Sequence, residues 1–188
     1  TVMLGTFVQR KFPLILPFAF LLAGFALLVA SIGESDPAIA YLVPVLSSPL
    51  LSFHVMSMMI SYTLLGLAML NSLMGLVRYA RSGSYSSLSV SSDVSLVFLY
   101  PAVAFLAAGT FLGAIWANIS WGSYWAWDPK EVWALITLLV YSSALHGKVL
   151  NFFRNPMVFH WFCILAFICV LVTYFGVNFF LGGLHGYA

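Results

Sequence analysis

Charge is what this sequence has least of. Only 6% of its 188 residues are Asp, Glu, Lys or Arg, against roughly 25% in soluble domains. With 63% hydrophobic residues and a mean hydropathy of +1.05, that scarcity excludes a soluble fold and points to an integral membrane protein. A net charge of +2 gives no case for nucleic-acid binding. Cysteine is nearly missing as well. Cys163 and Cys169 stand six residues apart in one apolar segment, about 9 Å along a helix and beyond disulfide reach. Both are expected to pack as small hydrophobes. No short signal-like segment with a cleavage site is present, and no internal repeat is visible. The first residue is Thr1 rather than Met, and the expectation is a piece of something longer.

What is present is long apolar runs. Five of them, near 13–32, 50–77, 94–115, 131–150 and 157–181, approach the length of about 20 residues needed to cross a bilayer core. The predicted fold is an all-α integral membrane protein, a polytopic bundle of about five transmembrane helices. Its first part is 1–48, one helix and an outer connection. The second, 49–188, holds four helices and an external loop at 116–130. Residues 38–48 (AIAYLVPVLSS) are too short to span and suit the membrane surface, while 82–92 (SGSYSSLSVSS) reads as a flexible serine-rich connector. If the spans alternate, Arg10, Lys11, Arg78, Arg81, Lys148 and Arg154 share one side. Lys130, Glu34, Asp36, Asp128 and Glu131 fall on the other. The positive-inside rule puts the first group in the cytoplasm or its topological equivalent.

The run WANISWGSYWAWDPKEVW, Trp116 to Trp133, holds five of the six tryptophans. Two readings compete: a preformed platform for something flat and greasy, or an aromatic belt at the interface. The topology brings His54, at the outer end of the second span, and His185, after the fifth, to the same face as this run. His146 falls near the inner end of the fourth span and His160 at the inner start of the fifth. Intramembrane ionisable residues are functional hypotheses, and neutral imidazole is the usual axial ligand of haem iron. Haem suits an indole-lined slot between two imidazoles, with Lys130 the nearest cation for its propionates. Plainer roles stand beside these. His160 is expected to be interfacial or hydrogen-bonded, and His146 is open between polar packing and ligation. Asp128, before Pro129, suits a helix cap, compatible with orienting a tryptophan N–H. Glu131 is explained by the helix macrodipole, and neither acid reads as a catalytic base.

WGSYWAWDPKEVWALI resembles the WWD motif, WGxxWxWD, of haem-handling membrane proteins. The DPKE that follows and the tail FGVNFFLGGLHGYA resemble the CcsA (ResC) type of System II cytochrome c biogenesis protein. That family's tail usually reads close to FGVNLxGxGLHSY, so Gly186 stands where Ser is usual. SFHVMSMMISYTLLGLAML resembles the family helix bearing the first outer histidine, and the likeness runs from about residue 49 to the end. The resemblance implies that His54 and His185 are external axial ligands of haem iron. It implies that Trp121, Gly122, Trp125, Trp127 and Asp128, with Trp116 beside them, hold the porphyrin of haem b, substrate as well as ligand. His146, in YSSALH, matches a transmembrane haem histidine whose partner belongs to a CcsB (ResB) half. His160 matches no family motif. The chain is therefore expected to be a C-terminal part of CcsA or of a CcsB–CcsA fusion.

The activity implied is that of a cytochrome c haem-lyase or synthase, working as part of a larger CcsB–CcsA unit. Its partners would be the CcsB/ResB-type half, an apocytochrome c carrying CXXCH, a thiol-reducing thioredoxin-like protein and membrane lipid. The setting would be the bacterial inner membrane with the WWD loop periplasmic, or the thylakoid membrane in a plastid. Two rivals remain at this level: a haem delivery subunit of the CcmC kind, and a b-type electron-transfer cytochrome.

Overall fold

The computed structural model describes residues 15–33, 48–147, 150–177 and 181. His185, most of the tail motif and residues 38–47 of the expected interfacial stretch lie outside the described residues. Within them regular structure is helical throughout, in five α-helices. These are α1 (Ile15–Gly33), α2 (Pro49–Ser82), α3 (Tyr85–Trp121), α4 (Pro129–Leu145) and α5 (Pro156–Leu171). A short 3-10 turn, Asn151–Arg154, precedes α5, and a π-helical turn, Val172–Gly176, extends it. Among the described residues three helices are long and apolar enough to cross a membrane: Pro49–Ser82, Tyr85–Trp121 and Pro156–Gly176. α1, with 19 residues, and α4, with 17, stand where the other two spans were expected. The fold is the all-α membrane bundle that hydropathy predicts.

The chain divides into two compact units, Thr1–Ser48 and Pro49–Ala188. In the first, α1 carries no charge, and Pro17 lies in its first turn, where a missing N–H breaks no helical bond.

The second unit is built on an antiparallel hairpin of α2 and α3, and here the structure corrects the reading of 82–92. That stretch is not a flexible connector. Only Gly83 and Ser84 leave the helices. Gly83 takes φ +66° and donates its N–H to Tyr79 O at 2.8 Å, and the Ser84 side chain caps α3 by accepting from Ser87 N–H. The serines beyond it are helical, and Ser91, Ser92 and Ser95 are buried. Asn71 of α2 donates to Ser91 O at 2.8 Å and to Ser95 Oγ at 2.9 Å. Ser72 meets Ser95 at 3.2 Å, and Ser61 donates to Ala102 O at 2.8 Å. A serine cluster marks a loop when water is the competitor. Between membrane helices the same small hydroxyls let backbones approach and bond across the interface.

α4 rests on the hairpin through Ala134, packed with Met58 and Leu106. α5 pairs with α4 through the edge contact of Phe162 with Tyr141, and its π-helical extension does so through Thr173, whose hydroxyl lies 3.1 Å from that of Thr137. His160 of α5 donates from Nε2 to Leu88 O of α3 at 3.0 Å. These contacts bring the start of α2, the end of α3 and the start of α4 together at one end of the unit. The Gly83 turn, the end of α4 and the start of α5 share the other. Arg78, Arg81 and Arg154 belong to that second end, and Asp128, Lys130 and Glu131 to the first.

Candidate functional site

The tryptophan run does not form one continuous loop. α3 continues through Trp121, six residues beyond the expected end of its span at 115, so the irregular stretch is only 122–128. α3 runs on through the interior Pro101, and between 115 and Gly122 neither proline nor glycine interrupts it. Gly122 takes the left-handed conformation, φ +79°, and donates its N–H to Asn118 O at 2.9 Å, a terminus that favours glycine. Trp116 is buried, 2% exposed, and its ring meets Trp121 edge-on at 4.9 Å. Trp125 and Trp127 form a second edge-on pair at 6.0 Å. Trp127 is 72% exposed. Trp121 and Trp125 are both half-buried, so the indoles grade from an inward pair led by Trp116 to an outward pair led by Trp127.

The backbone holding the outward pair is fixed from α4. Asp128 is buried and caps that helix, its Oδ1 accepting from Lys130 N–H at 2.9 Å, with Pro129 at the first helical position. Glu131 completes a capping box. Its Oε2 accepts from Ala126 N–H at 2.9 Å and Asp128 N–H at 3.2 Å. One carboxylate oxygen therefore grips the backbone N–H groups of both residues that neighbour Trp127. That residue has φ +58°, a conformation rare for a bulky side chain that persists only when its surroundings hold it. Sequence reasoning gave Glu131 only a dipole role. The missed signal was the D-x-x-E spacing of a capping box. Beside it Lys130 is half-buried. Burial pulls its ammonium below the ordinary lysine range, and the charge of Asp128 partly offsets this.

His54 is brought beside the same end of α3 by the hairpin. Its Nδ1 lies 2.7 Å from Gly109 O. A carbonyl oxygen only accepts, so Nδ1 is the donor here, and metal ligation by this ring falls to Nε2. His146 likewise donates from Nδ1 to a carbonyl, Ser142 O, at 2.8 Å. It is exposed at the C-cap of α4, roughly 27 Å of helix from Asp128 at the standard rise. The structure does not bring it to the tryptophans. His160 is fully buried at a junction of three helices, near Gly75 of α2 and bonded to α3, with its Nδ1 unpartnered. No sequence signal distinguished this role from an interfacial one. Among the described residues no three His, Cys, Asp or Glu side chains gather to hold a metal. A haem iron needs none of that, since porphyrin supplies four of its ligands and imidazoles the rest.

A polytopic helix bundle with a capped, tryptophan-rich turn at one end defines a membrane protein class. The family model described as cytochrome C assembly protein matches residues 3–185, and the chain belongs to that family. The match takes in α1, beyond the stretch from residue 49 on which the motifs were read. The chain is of the CcsA type, as the following relatives support. The chain is 41% identical over 175 residues to protein NrfI of Wolinella succinogenes, covering 90% of this chain and 19% of that protein. It is 33% identical over 195 residues to the cytochrome c biogenesis protein CcsA of Guillardia theta, covering 91% and 64%. To CcsA of Chlamydomonas reinhardtii it is 35% identical over 181 residues, covering 93% and 50%. The chain thus spans less than two thirds of the length of each of these three relatives.

Proposed function

We propose that this chain is the haem-presenting part of a cytochrome c synthase. Haem b is its substrate, held against the Trp125–Trp127 surface with His54 and His185 as axial ligands and Lys130 toward the propionates. The observation that carries this reading is the hydrogen bond from His54 Nδ1 to Gly109 O, which leaves the ligating nitrogen on Nε2 beside the tryptophan-bearing end of α3. An apocytochrome then offers its CXXCH segment, and each thiol adds S–H across a haem vinyl C=C. A carbon–sulfur bond and a carbon–hydrogen bond form, and no oxidant is consumed. The chain's contribution is positioning, which supplies up to roughly 7–11 kcal/mol when reactants are fully aligned.

The remaining parts follow from the same reading. The end rich in arginine faces the cytoplasm, and the Trp-rich turn faces the periplasm, or the corresponding sides of a thylakoid membrane. His146 assists haem on its way through, opposite a histidine of a CcsB/ResB-type half. A thioredoxin-like protein keeps the apocytochrome thiols reduced.

Two measurements test this. The chain is expressed with its CcsB-type half and an apocytochrome reporter in cells lacking their own synthase. Covalent haem on the reporter is the expected result. Bound haem without any thioether product would instead identify a delivery subunit or an electron-transfer cytochrome. The ligand assignment is tested with His54→Gly and His185→Gly, each purified and its haem spectrum recorded with and without imidazole. Loss of the low-spin spectrum and its return with imidazole are expected. A parental spectrum in both variants would overturn the assignment.

A further inference from the structure

The imidazole of His54 sits in a slot that exists because α3 carries glycine at 113. A Cβ at Gly113 would lie 2.7 Å from His54 Cε1, 2.8 Å from Nδ1 and 3.5 Å from Nε2. Three ring atoms would be met at once, two of them closer than real contacts allow. One turn earlier, a Cβ on Gly109 would lie 2.6 Å from Met58 Sδ and 3.4 Å from the Met58 backbone N. Gly109 therefore sets how closely the α2 backbone approaches α3, and its carbonyl takes the His54 Nδ1–H.

Backbone freedom does not explain these glycines. Among the described residues the glycines with positive φ are Gly83 and Gly122, so 109 and 113 have ordinary helical conformations that alanine adopts at lower cost. What the sites require is space. Glycines four apart commonly let two membrane helices touch. Here the second one accommodates a titratable, metal-competent ring. Trp116 follows Gly113 by three residues and so lies on the same face of α3, which joins the histidine slot to the inward indole pair.

We infer that Gly113 is a positioning residue for His54. It keeps the ring oriented with Nδ1–H on Gly109 O and thereby sets the direction in which Nε2 meets the iron of the haem substrate. This rests on the proposed haem site, and a Cβ at 113 would turn the ring and break that bond.

The test is a double-mutant cycle in the full-length protein: Gly113→Ala, His54→Gly and the two combined. Thermal unfolding of haem-stripped protein and the haem spectrum with and without imidazole are both recorded. Gly113→Ala is expected to weaken haem retention at least tenfold and to lose the low-spin spectrum, with imidazole restoring it. In the His54→Gly background the same substitution is expected to cost nothing further in either readout, since the clashing ring is gone. If Gly113→Ala alone fails to fold, recovery in the combined variant supports the inference, and no recovery overturns it. Additive effects, or a parental spectrum in Gly113→Ala, also overturn it. A parental spectrum in His54→Gly sinks the haem reading instead, and coupling in the unfolding cycle then decides the positioning role separately.

Discussion

At the scale of single residues, Glu131 illustrates how little of a charged side chain's work is visible in its charge. Its carboxylate accepts from Ala126 and Asp128 on either side of Trp127, so Glu131→Ala leaves two donors unmet and frees a strained backbone. A loss of about 1–2 kcal/mol is expected. It would be read as a lower thermal midpoint together with faster proteolysis at 122–128. Glu131→Gln keeps an acceptor oxygen and is expected to lose less than half as much. Lys130 tests the site from the other side. If it serves a propionate, Lys130→Gln reduces haem retention several-fold but leaves the spin state unchanged, because it does not touch iron. A changed spin state would show that its role is structural. The cap at Asp128 was legible in the order of Asp and Pro. The grip of Glu131 on Trp127 was not, because it depends on how a short turn folds back.

Between helices, the polar seam along the α2–α3 hairpin is the feature that composition misrepresented. Asn71 bonds both a serine carbonyl and a serine hydroxyl of the neighbouring helix. Interhelical bonds of this kind average about 0.6 kcal/mol and reach about 1.7. Asn71→Ala is therefore expected to lower the unfolding midpoint in detergent by a few degrees, whereas Ser86→Ala, at an exposed position, should leave it in place. An equal effect from both would mean that the seam is not what holds the hairpin. His160 belongs to this scale as well. It ties α5 to α3 through Leu88 O and packs where Gly75 leaves room. His160→Ala is expected to destabilise by about 2–3 kcal/mol, through a lost bond and a cavity, without altering the spectrum of bound haem. His146→Ala, at an exposed helix end, should change stability by less than about 0.5 kcal/mol.

Across the whole unit Pro49–Ala188, alternating helices carry the arginines to one end and the Trp-rich turn to the other. In a background with Cys163→Ala and Cys169→Ala, a Tyr124→Cys variant is expected to react with a membrane-impermeant maleimide added outside intact cells. A Ser86→Cys variant should react only after permeabilisation. The reverse pattern would invert the proposed orientation and place the aromatic turn inside.

Hydropathy is a running sum along the chain, so the sequence by itself settled the membrane class, the approximate place of each helix and the family signature around Trp121–Asp128. It also placed His54 and the tryptophans at one end, since that needs only a count of alternating spans. Pairwise contacts were beyond it. That the serine-rich stretch 85–92 continues a helix depends on Asn71 lying opposite. That Trp116 points inward while Trp127 is exposed depends on Gly122 ending α3 and Glu131 pinning the next turn. That His54 presents one nitrogen rather than the other depends on Gly109 and Gly113, more than fifty residues away. Tertiary structure decided these because each one turns on which atom is within about 3 Å, a distance that residue order along the chain does not encode.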